Sequence, residues 1–270
     1  MTGLSVVIPS RNGAEILKAH LPSIMGETLA SGGELIVVDD CSSDGTGELI
    51  RSSFPGVRLL ERTGEPGFCH AVNLGMREAS GELLLLLNND TLPLEGSFSG
   101  MAQGICRADP RTAAAVPSIP RPDGTDDSLC QWKIVRGLAV TGEGFGGAPY
   151  PSGACSLWKR SAWEELGGMD DRFAPIYWED ADLGARMTAA GMGMIRLQDL
   201  VVRHIHASTM GSSPETLALR ERNRFIFMEA RGVDPWPWLG IHLVSAALRG
   251  NYPFIKGYRA YLRFRRRRST

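Results

Sequence analysis

Short apolar runs and amphipathic segments alternate through residues 4–90. Residues 4–8 form a β-branched apolar run that stops at Pro9, and residues 34–38 form another, ended by Asp39-Asp40. A third covers residues 57–60, and a fourth, the leucine run 83–87, ends in Asn88-Asn89-Asp90. Between them, Ile16, Leu17, Leu21, Ile24 and Met25 share one helical face, and Leu49, Ile50 and Phe54 share another. Ala71, Val72, Leu74, Gly75 and Ala79 suit a third helix, closed by Gly81. Strand and helix alternating this way predict an α/β fold with right-handed crossovers and a mostly parallel sheet. A strand apolar at every position is one covered on both faces. The polar residues then collect at the carboxyl ends of the strands, where open parallel sheets bind ligands.

Beyond residue 100 the periodicity loosens among prolines and glycines. Surface loops are expected there, with edge strands over residues 113–116 and 133–135. The spacing predicts a strand at 154–158, a helix at 161–166 ended by Gly167-Gly168, and a helix at 180–190 with Leu183, Met187 and Ala190 on one stripe. Residues 201–206 suit a strand carrying His204 and His206 on one face. After Pro214 the pattern is helical throughout. Residues 236–248 are apolar but cover only about half a membrane span, and Trp236, Trp238 and Tyr252 flank them. Two readings stay open for this helix: an interfacial one, or an ordinary one packed on the core. The expected organisation is one domain over residues 1–212, divided near residue 100 into a nucleotide-binding and an acceptor half, and a helical extension over 213–270.

Composition changes the picture in two places. The net charge of −1 hides a basic end, with arginine at 263 and 265–268. Such an end either meets anionic lipid or is a solvated tail; nucleic acid is not among the expected partners. The five cysteines are odd in number and form no CxxC pair, which fits a reducing cytosol and argues against a disulfide framework or zinc site. The chain enters a strand at once, so no secretory leader is expected.

Three acidic clusters carry candidate chemistry. Asp39-Asp40 are adjacent carboxylates that repel unless a cation or donor lies between them. Asn88-Asn89-Asp90 groups oxygen ligands at a strand end, as a hard divalent ion carrying a diphosphate requires; a turn residue is the plain alternative for Asp90. Glu179, Asp180 and Asp182 crowd one first helical turn, beyond what the helix dipole needs. His204 and His206 add candidate metal ligands.

The ordered set of segments resembles the inverting family 2 glycosyltransferases of the GT-A fold, in particular their rhamnosyltransferase-like branch. The matching stretches are Val6-Val7-Ile8-Pro9-Ser10-Arg11-Asn12, Val37-Val38-Asp39-Asp40-Cys41-Ser42-Ser43-Asp44-Gly45-Thr46, Asn73-Leu74-Gly75 and Leu86-Leu87-Asn88-Asn89-Asp90. Gly167-Gly168-Met169-Asp170, Glu179-Asp180-Ala181-Asp182-Leu183 and His204 with Ser208 follow in the family's order. The resemblance implies a GT-A Rossmann-like sheet, a nucleoside-diphosphate sugar as donor (UDP-, dTDP- or GDP-linked), a glycan or lipid-linked acceptor, and Mn2+ or Mg2+ as cofactor. By position it places Pro9, Arg11, Asn12, Asp39 and Asp40 at the nucleotide. It adds Asn73, Asn88, Asn89, Gly153, Trp178 and Asp182 as further substrate contacts, and Asp90 and His204 as metal ligands. Asp180 matches the catalytic base and Glu179 its acidic neighbour. Asn88 departs from the family's DxD pattern, which leaves most of the metal contact to Asp90. No QxxRW run occurs, so a processive synthase is not expected.

The implied chemistry is direct. A carboxylate takes the proton of a weakly nucleophilic sugar hydroxyl, positive charge offsets the departing diphosphate, and in-line displacement inverts the anomeric carbon. The rival readings are a nucleotidyltransferase, which would carry a Gly-rich phosphate loop where Pro9-Ser10-Arg11-Asn12-Gly13 stands, and a non-catalytic sugar-nucleotide-binding module. The expected setting is the cytoplasm, with peripheral contact at the inner face of the plasma membrane.

Overall fold

The computed structural model describes residues 3–121, 123–205 and 213–268. His206 and Ser208 lie outside them, as does the boundary expected at residue 212. The first unit runs β1 (Leu4–Ser10), α1 (Ala14–Ala30), β2 (Glu34–Asp40), α2 (Thr46–Ser53), β3 (Arg58–Arg62), α3 (Phe68–Glu78) and β4 (Leu83–Leu87). Then come β5 (Thr91–Pro93), α4 (Ser97–Arg107), β6 (Thr112–Ser118), β7 (Cys130–Val135), β8 (Leu138–Glu143), β9 (Ala148–Pro149), β10 (Cys155–Lys159), α5 (Arg160–Leu166), α6 (Glu179–Ala189) and β11 (Gly193–His204). Three helices, α7 (Pro214–Ala230), α8 (Trp236–Leu248) and α9 (Tyr252–Arg268), complete the described chain.

The main sheet has the order β3-β2-β1-β4-β10-β6-β11-β5. β1 pairs in parallel with both β2 and β4, so the direction of winding reverses between β1 and β4. Crevices for ligands open at such a reversal, outside the carboxyl ends of the strands. Pro9 does not end β1. The strand continues to Ser10, with Pro9 facing Val38 in the ladder, and β2 likewise carries Asp39 and Asp40 inside its end.

Alternation along the strands feeds two cores. Val6, Ile8 and Leu85 meet Leu17, Leu21 and Phe98 of α1 and α4 on one face. Val7, Ile36, Leu84 and Leu86 meet α3, α6 and the C-terminal helices on the other. Close approach of α3 to the sheet needs Gly75, where a Cβ would fall 2.3 Å from Val7 Cγ1.

The region after residue 100 holds more structure than its periodicity suggested. Residues 113–116 belong to a buried strand between β10 and β11, not to an edge. Its small side chains, Ala113, Ala114 and Ala115, are what close packing on both faces demands, and they carry almost no strand signal. β8, β7 and β9 form a second, three-stranded sheet.

Candidate active site

Tight turns build the crevice. Asn12 and Cys41 take left-handed backbone conformations (φ +50° and +59°) just past β1 and β2. The Asn12 N–H donates to Ser42 Oγ and the Ser43 N–H to Asn12 Oδ1, both at 2.8 Å, which stitches the two turns together. Asn89 Nδ2 donates to Ser10 Oγ at 2.9 Å, and a Cβ on Gly13 would overlap both partners, at 2.3 and 2.6 Å. Arg11 is exposed beyond β1, and Pro9 is buried within it. The donors that Asp39 and Asp40 require are present. Arg62 pairs with Asp40, the Gly67 N–H donates to Asp40 Oδ2 at 2.7 Å, and the Ser42 N–H donates to Asp39 Oδ1 at 3.1 Å.

At the end of β4, the antiparallel pairing of β11 with β5 sets His204 opposite Thr91 and beside Asp90. His204 Nε2 lies 3.1 Å from Asp90 Oδ1, and its Nδ1 lies 2.9 Å from Asp127 Oδ2. Arg121 pairs with the other Asp127 oxygen and reaches Glu143 at 2.7 Å. Burial alone would lower the His204 pKa, but the hydrogen bonds of Asp127 and Asp90 outweigh it and push it up to about 9. Among the described residues, no group of three or more His, Cys, Asp or Glu side chains is arranged to hold a metal ion unaided. Asp127, Arg121 and Glu143 were not among the expected site residues. The adjacent acids Asp126-Asp127 were the available signal, hidden in a segment read as surface loop.

The third cluster opens α6. Tyr177 and Trp178 precede it with φ of +83° and +74°, a conformation that bulky residues hold only when their surroundings over-determine it. The restraint comes from α7. Asn223, fully buried, turns Nδ2 to the carbonyls of Phe173 (2.6 Å), Ile176 (2.8 Å) and Tyr177 (3.0 Å). Arg222 donates to the carbonyls of Ala174 at 2.8 Å and Arg172 at 3.2 Å. Nothing in the sequence pattern marked Asn223, an amide in the middle of a helix far along the chain.

Glu179 is buried, with Oε2 unpartnered; burial and then the charge of Asp180 push its pKa well above the carboxylate range. Burial also raises Asp180, but the N–H groups of Ala181 and Gly153 and the charge of Arg220 pull it back. Both acids are raised and titrate together, Glu179 the more strongly because it also feels the charge of Asp180 and gains fewer donors. Gly153-Ala154 links the two acidic centres, since the Asn88 N–H donates to the Ala154 carbonyl at 2.9 Å and Gly153 lies against Asp180. Cys130 lies near both: burial, then the charges of Asp180 and Asp127, raise its thiol to about 12.

Three expected substrate contacts are engaged elsewhere. Asp182 is fully buried, with Arg186 on one oxygen at 2.8 Å and Arg231 on the other at 3.2 Å, so it ties α6 to the end of α7. Trp178 is 4% exposed and packs on Phe227 with ring centroids 5.0 Å apart. Asn73 exchanges hydrogen bonds with the Met169 backbone, at 2.7 and 2.9 Å, and so fastens α3 to the loop after α5.

Residues 5–167 match the family model described as glycosyl transferase family 2. The chain belongs to that family. Its reaction is glycosyl transfer from a nucleotide-sugar donor. The N-acetylglucosaminyl-diphospho-decaprenol L-rhamnosyltransferase of Mycobacterium tuberculosis is 28% identical over 236 residues, which is 75% of this chain and 76% of that protein. The O-antigen biosynthesis protein RfbC of Myxococcus xanthus is 25% identical over 264 residues, 88% of this chain but 19% of that protein. Among solved structures, mannosyltransferase PcManGT from Pyrobaculum calidifontis, in complex with GDP-Man and Mn2+, superposes with a TM-score of 0.62 at 20% identity, covering 95% of this chain and 73% of its own. At that identity the likeness establishes the GT-A fold of this family 2 member and nothing finer.

Proposed function

We propose that the chain is an inverting, metal-dependent, non-processive transferase that adds one sugar to a lipid-linked glycan acceptor at the cytoplasmic face of a membrane, in cell-surface polysaccharide assembly. The observation that carries this reading is the pairing of two unlike acidic centres across Gly153-Ala154: Asp90 with His204 on one side, and Asp180 beside a buried Glu179 with an unpartnered oxygen on the other. The lipid-linked acceptor is suggested by the mycobacterial relative, whose name specifies a sugar on a decaprenol diphosphate. Five free cysteines suit the cytoplasm.

The spacing of Asp90 and His204 supports a divalent ion shared between them, at the same distance that now holds their hydrogen bond. Two neighbouring ligands, each about 2.1 Å from an octahedral ion, stand about 3 Å apart; Asp90 and His204 are separated by 3.1 Å. Asp127 on the far ring nitrogen is the outer partner that metal-bound imidazoles use for orientation. Asp90 and His204 would hold Mn2+ or Mg2+, which supplies positive charge against the departing diphosphate. Asp180 accepts the proton of the acceptor hydroxyl. Glu179, whose burial and neighbouring charge favour its protonated form, competes less for that proton. The strained 177–178 backbone aims the first turn of α6, and Asn12, Asp39 and Asp40 receive the nucleoside.

Release of nucleoside diphosphate from a panel of UDP-, dTDP- and GDP-sugars, with Mn2+ and with chelator, tests this. One donor should turn over, only with metal, and mass analysis of the acceptor should show a single added sugar. Undiminished turnover in chelator, or formation of a sugar nucleotide from a nucleoside triphosphate and a sugar phosphate, would sink the reading.

A further inference from the structure

The geometry points to the outer face of α8, joined to the tip of the β7–β8 hairpin, as a docking surface for an anionic lipid bilayer from which an amphiphilic acceptor is presented to Asp180. This rests on the lipid-linked acceptor proposed above and names the surface that receives it. α8 contains no charged residue. Its inner side, Leu239 and Ala246, is buried in the core, yet Ile241, Val244 and Leu248 on the other side are 63%, 61% and 84% exposed. A helix on a wetted surface carries polar residues there, and a contiguous apolar face implies something that covers it.

The hairpin enlarges this face. Its tip backbone touches α8: the Cβ position of Gly137 lies 2.5 Å from Trp238 Cδ1, and His242 Nε2 is 2.8 Å from the Arg136 carbonyl. Ile134 and Val135, each 40% exposed, immediately precede that tip.

Charge identifies the occupant. After Leu248 the chain has eight lysines and arginines and no aspartate or glutamate. α9 turns Phe254, Gly257 and Tyr261 inward, which sets Lys256, Arg259, Arg263 and Arg266 outward at alternating four- and three-residue spacing. Arg259, Arg263 and Arg266 have no ion-pair partner among the described residues, whereas Lys256 meets Glu215. A second copy packed face to face would bring two such cation rows together, because a two-fold contact places each patch on itself. An anionic bilayer answers both the apolar face and the cations. Exposed Trp236 opens α8 and exposed Tyr252 opens α9 just beyond its end, as aromatic residues do at headgroup level. No helix among the described residues is long and apolar enough to cross a membrane, so α8 lies along it.

The same hairpin leads back to the base. β7 begins at Cys130, which senses the charge of Asp180, and Thr141 of β8 holds the Arg220 guanidinium at 3.3 Å. Six strand residues span about 20 Å, which sets an upper scale for the distance from the hairpin tip back to the start of β7. A sugar carried on a phosphate-bearing lipid headgroup covers such a gap better than a free glycolipid sugar.

The test uses the full chain and vesicles of phosphatidylcholine with or without phosphatidylglycerol. Wild type should sediment with the anionic vesicles, release at high salt, and stay free of pure phosphatidylcholine. Ile241→Ser with Leu248→Ser should abolish sedimentation, and Arg263→Gln with Arg266→Gln should weaken it roughly fivefold for each cation neutralised. These positions lie outside the crevice, so nucleotide-sugar turnover without vesicles should match wild type and report intact folding. Equal binding to neutral vesicles overturns the proposal. So does a soluble dimer that Leu248→Ser converts to monomer. Turnover without sedimentation leaves the transferase reading standing and removes the docking surface; sedimentation without turnover does the reverse.

Discussion

At the Asp90 centre each carboxylate meets a cation, whereas at the start of α6 two carboxylates stand side by side with far less to answer them. Asp90 shares His204 with Asp127, and Arg121 closes the far side. Glu179 has an oxygen without a partner, and Asp180 relies on backbone N–H groups and the distant charge of Arg220. On the function proposed above, the difference is one of task. A site proposed for an anionic donor and a cation is neutralised in advance, and a divalent ion replacing the His204 proton would add one positive charge for the diphosphate to answer. A site for a base must keep its affinity for protons, and burial with few donors achieves that. The cost appears as backbone strain at 177–178, which α7 holds in place through Asn223.

The largest effect should come from the charge of the base. Asp180→Asn preserves shape and removes the ionised oxygen that accepts the proton. Transfer should fall by roughly two to four orders of magnitude, the usual size of a lost general base, while donor affinity measured by calorimetry stays at the wild-type value. If Asp180→Asn turns over normally and Glu179→Gln does not, the roles are exchanged.

At the balanced centre the loss should be smaller. Asp90→Ala leaves Asn88 and Asn89, which are neutral, and His204, which keeps Asp127. Activity at saturating Mn2+ should drop by about two to three orders of magnitude, as when one fixed electrostatic stabiliser is removed. The metal concentration needed for half activity should rise. Unchanged metal dependence in this variant would place the ion elsewhere.

The contrast also governs what the sequence made legible. Strands β1, β2 and β4 were readable because their apolar runs end in polar residues, and Asp90, Asp180 and His204 sit at those ends or beside them. The segment from 112 to 149 was readable only in part. Strands were expected at 113–116 and 133–135, and both exist, but as interior strands of their sheets and not as edges, and β8 and β9 gave no signal. β6 is built of alanines whose burial gives no strand-like pattern, and the β7–β8 hairpin pairs only with β9, so its residues are neither cleanly apolar nor alternating. Asp127 and Arg121 were missed with it. Asp182 and Trp178 misled for a different reason. They lie within two residues of Asp180, the proposed base, and only the packing of α7 shows that their side chains point into the core.

Asn223 tests whether strain matters to the base. Asn223→Ala leaves the carbonyls of Phe173, Ile176 and Tyr177 without their buried donor, which should cost about 2–4 kcal/mol of stability, visible as a lowered Tm. If α7 also aims the first turn of α6, kcat should fall by about tenfold with donor KM unchanged, and Asp180→Asn should mask that fall in the double variant. A destabilised protein with wild-type kcat would make Asn223 a packing residue only.

The smallest effect concerns Glu179, and it should show in stability before it shows in rate. Its folded pKa lies well above the usual carboxylate value, because of burial and the neighbouring Asp180 charge. An unfolded glutamate titrates near 4.3. Below that pH both states hold the proton and the group contributes nothing to pH dependence. Above it the unfolded chain releases the proton while the folded chain keeps it, so the wild type loses stability as pH rises. That loss continues until the folded pKa is passed, and it is constant thereafter. Glu179→Gln keeps the shape of the protonated acid and has no proton to lose. Its Tm should therefore equal that of the wild type near pH 4 and exceed it by a widening margin toward neutral pH. Turnover should change less than in Asp180→Asn, because burial and the Asp180 charge shift Glu179 toward its protonated form, which Gln resembles. A margin that narrows as pH rises would mean that Glu179 is ionised in the fold, and the proton would then belong to Asp180.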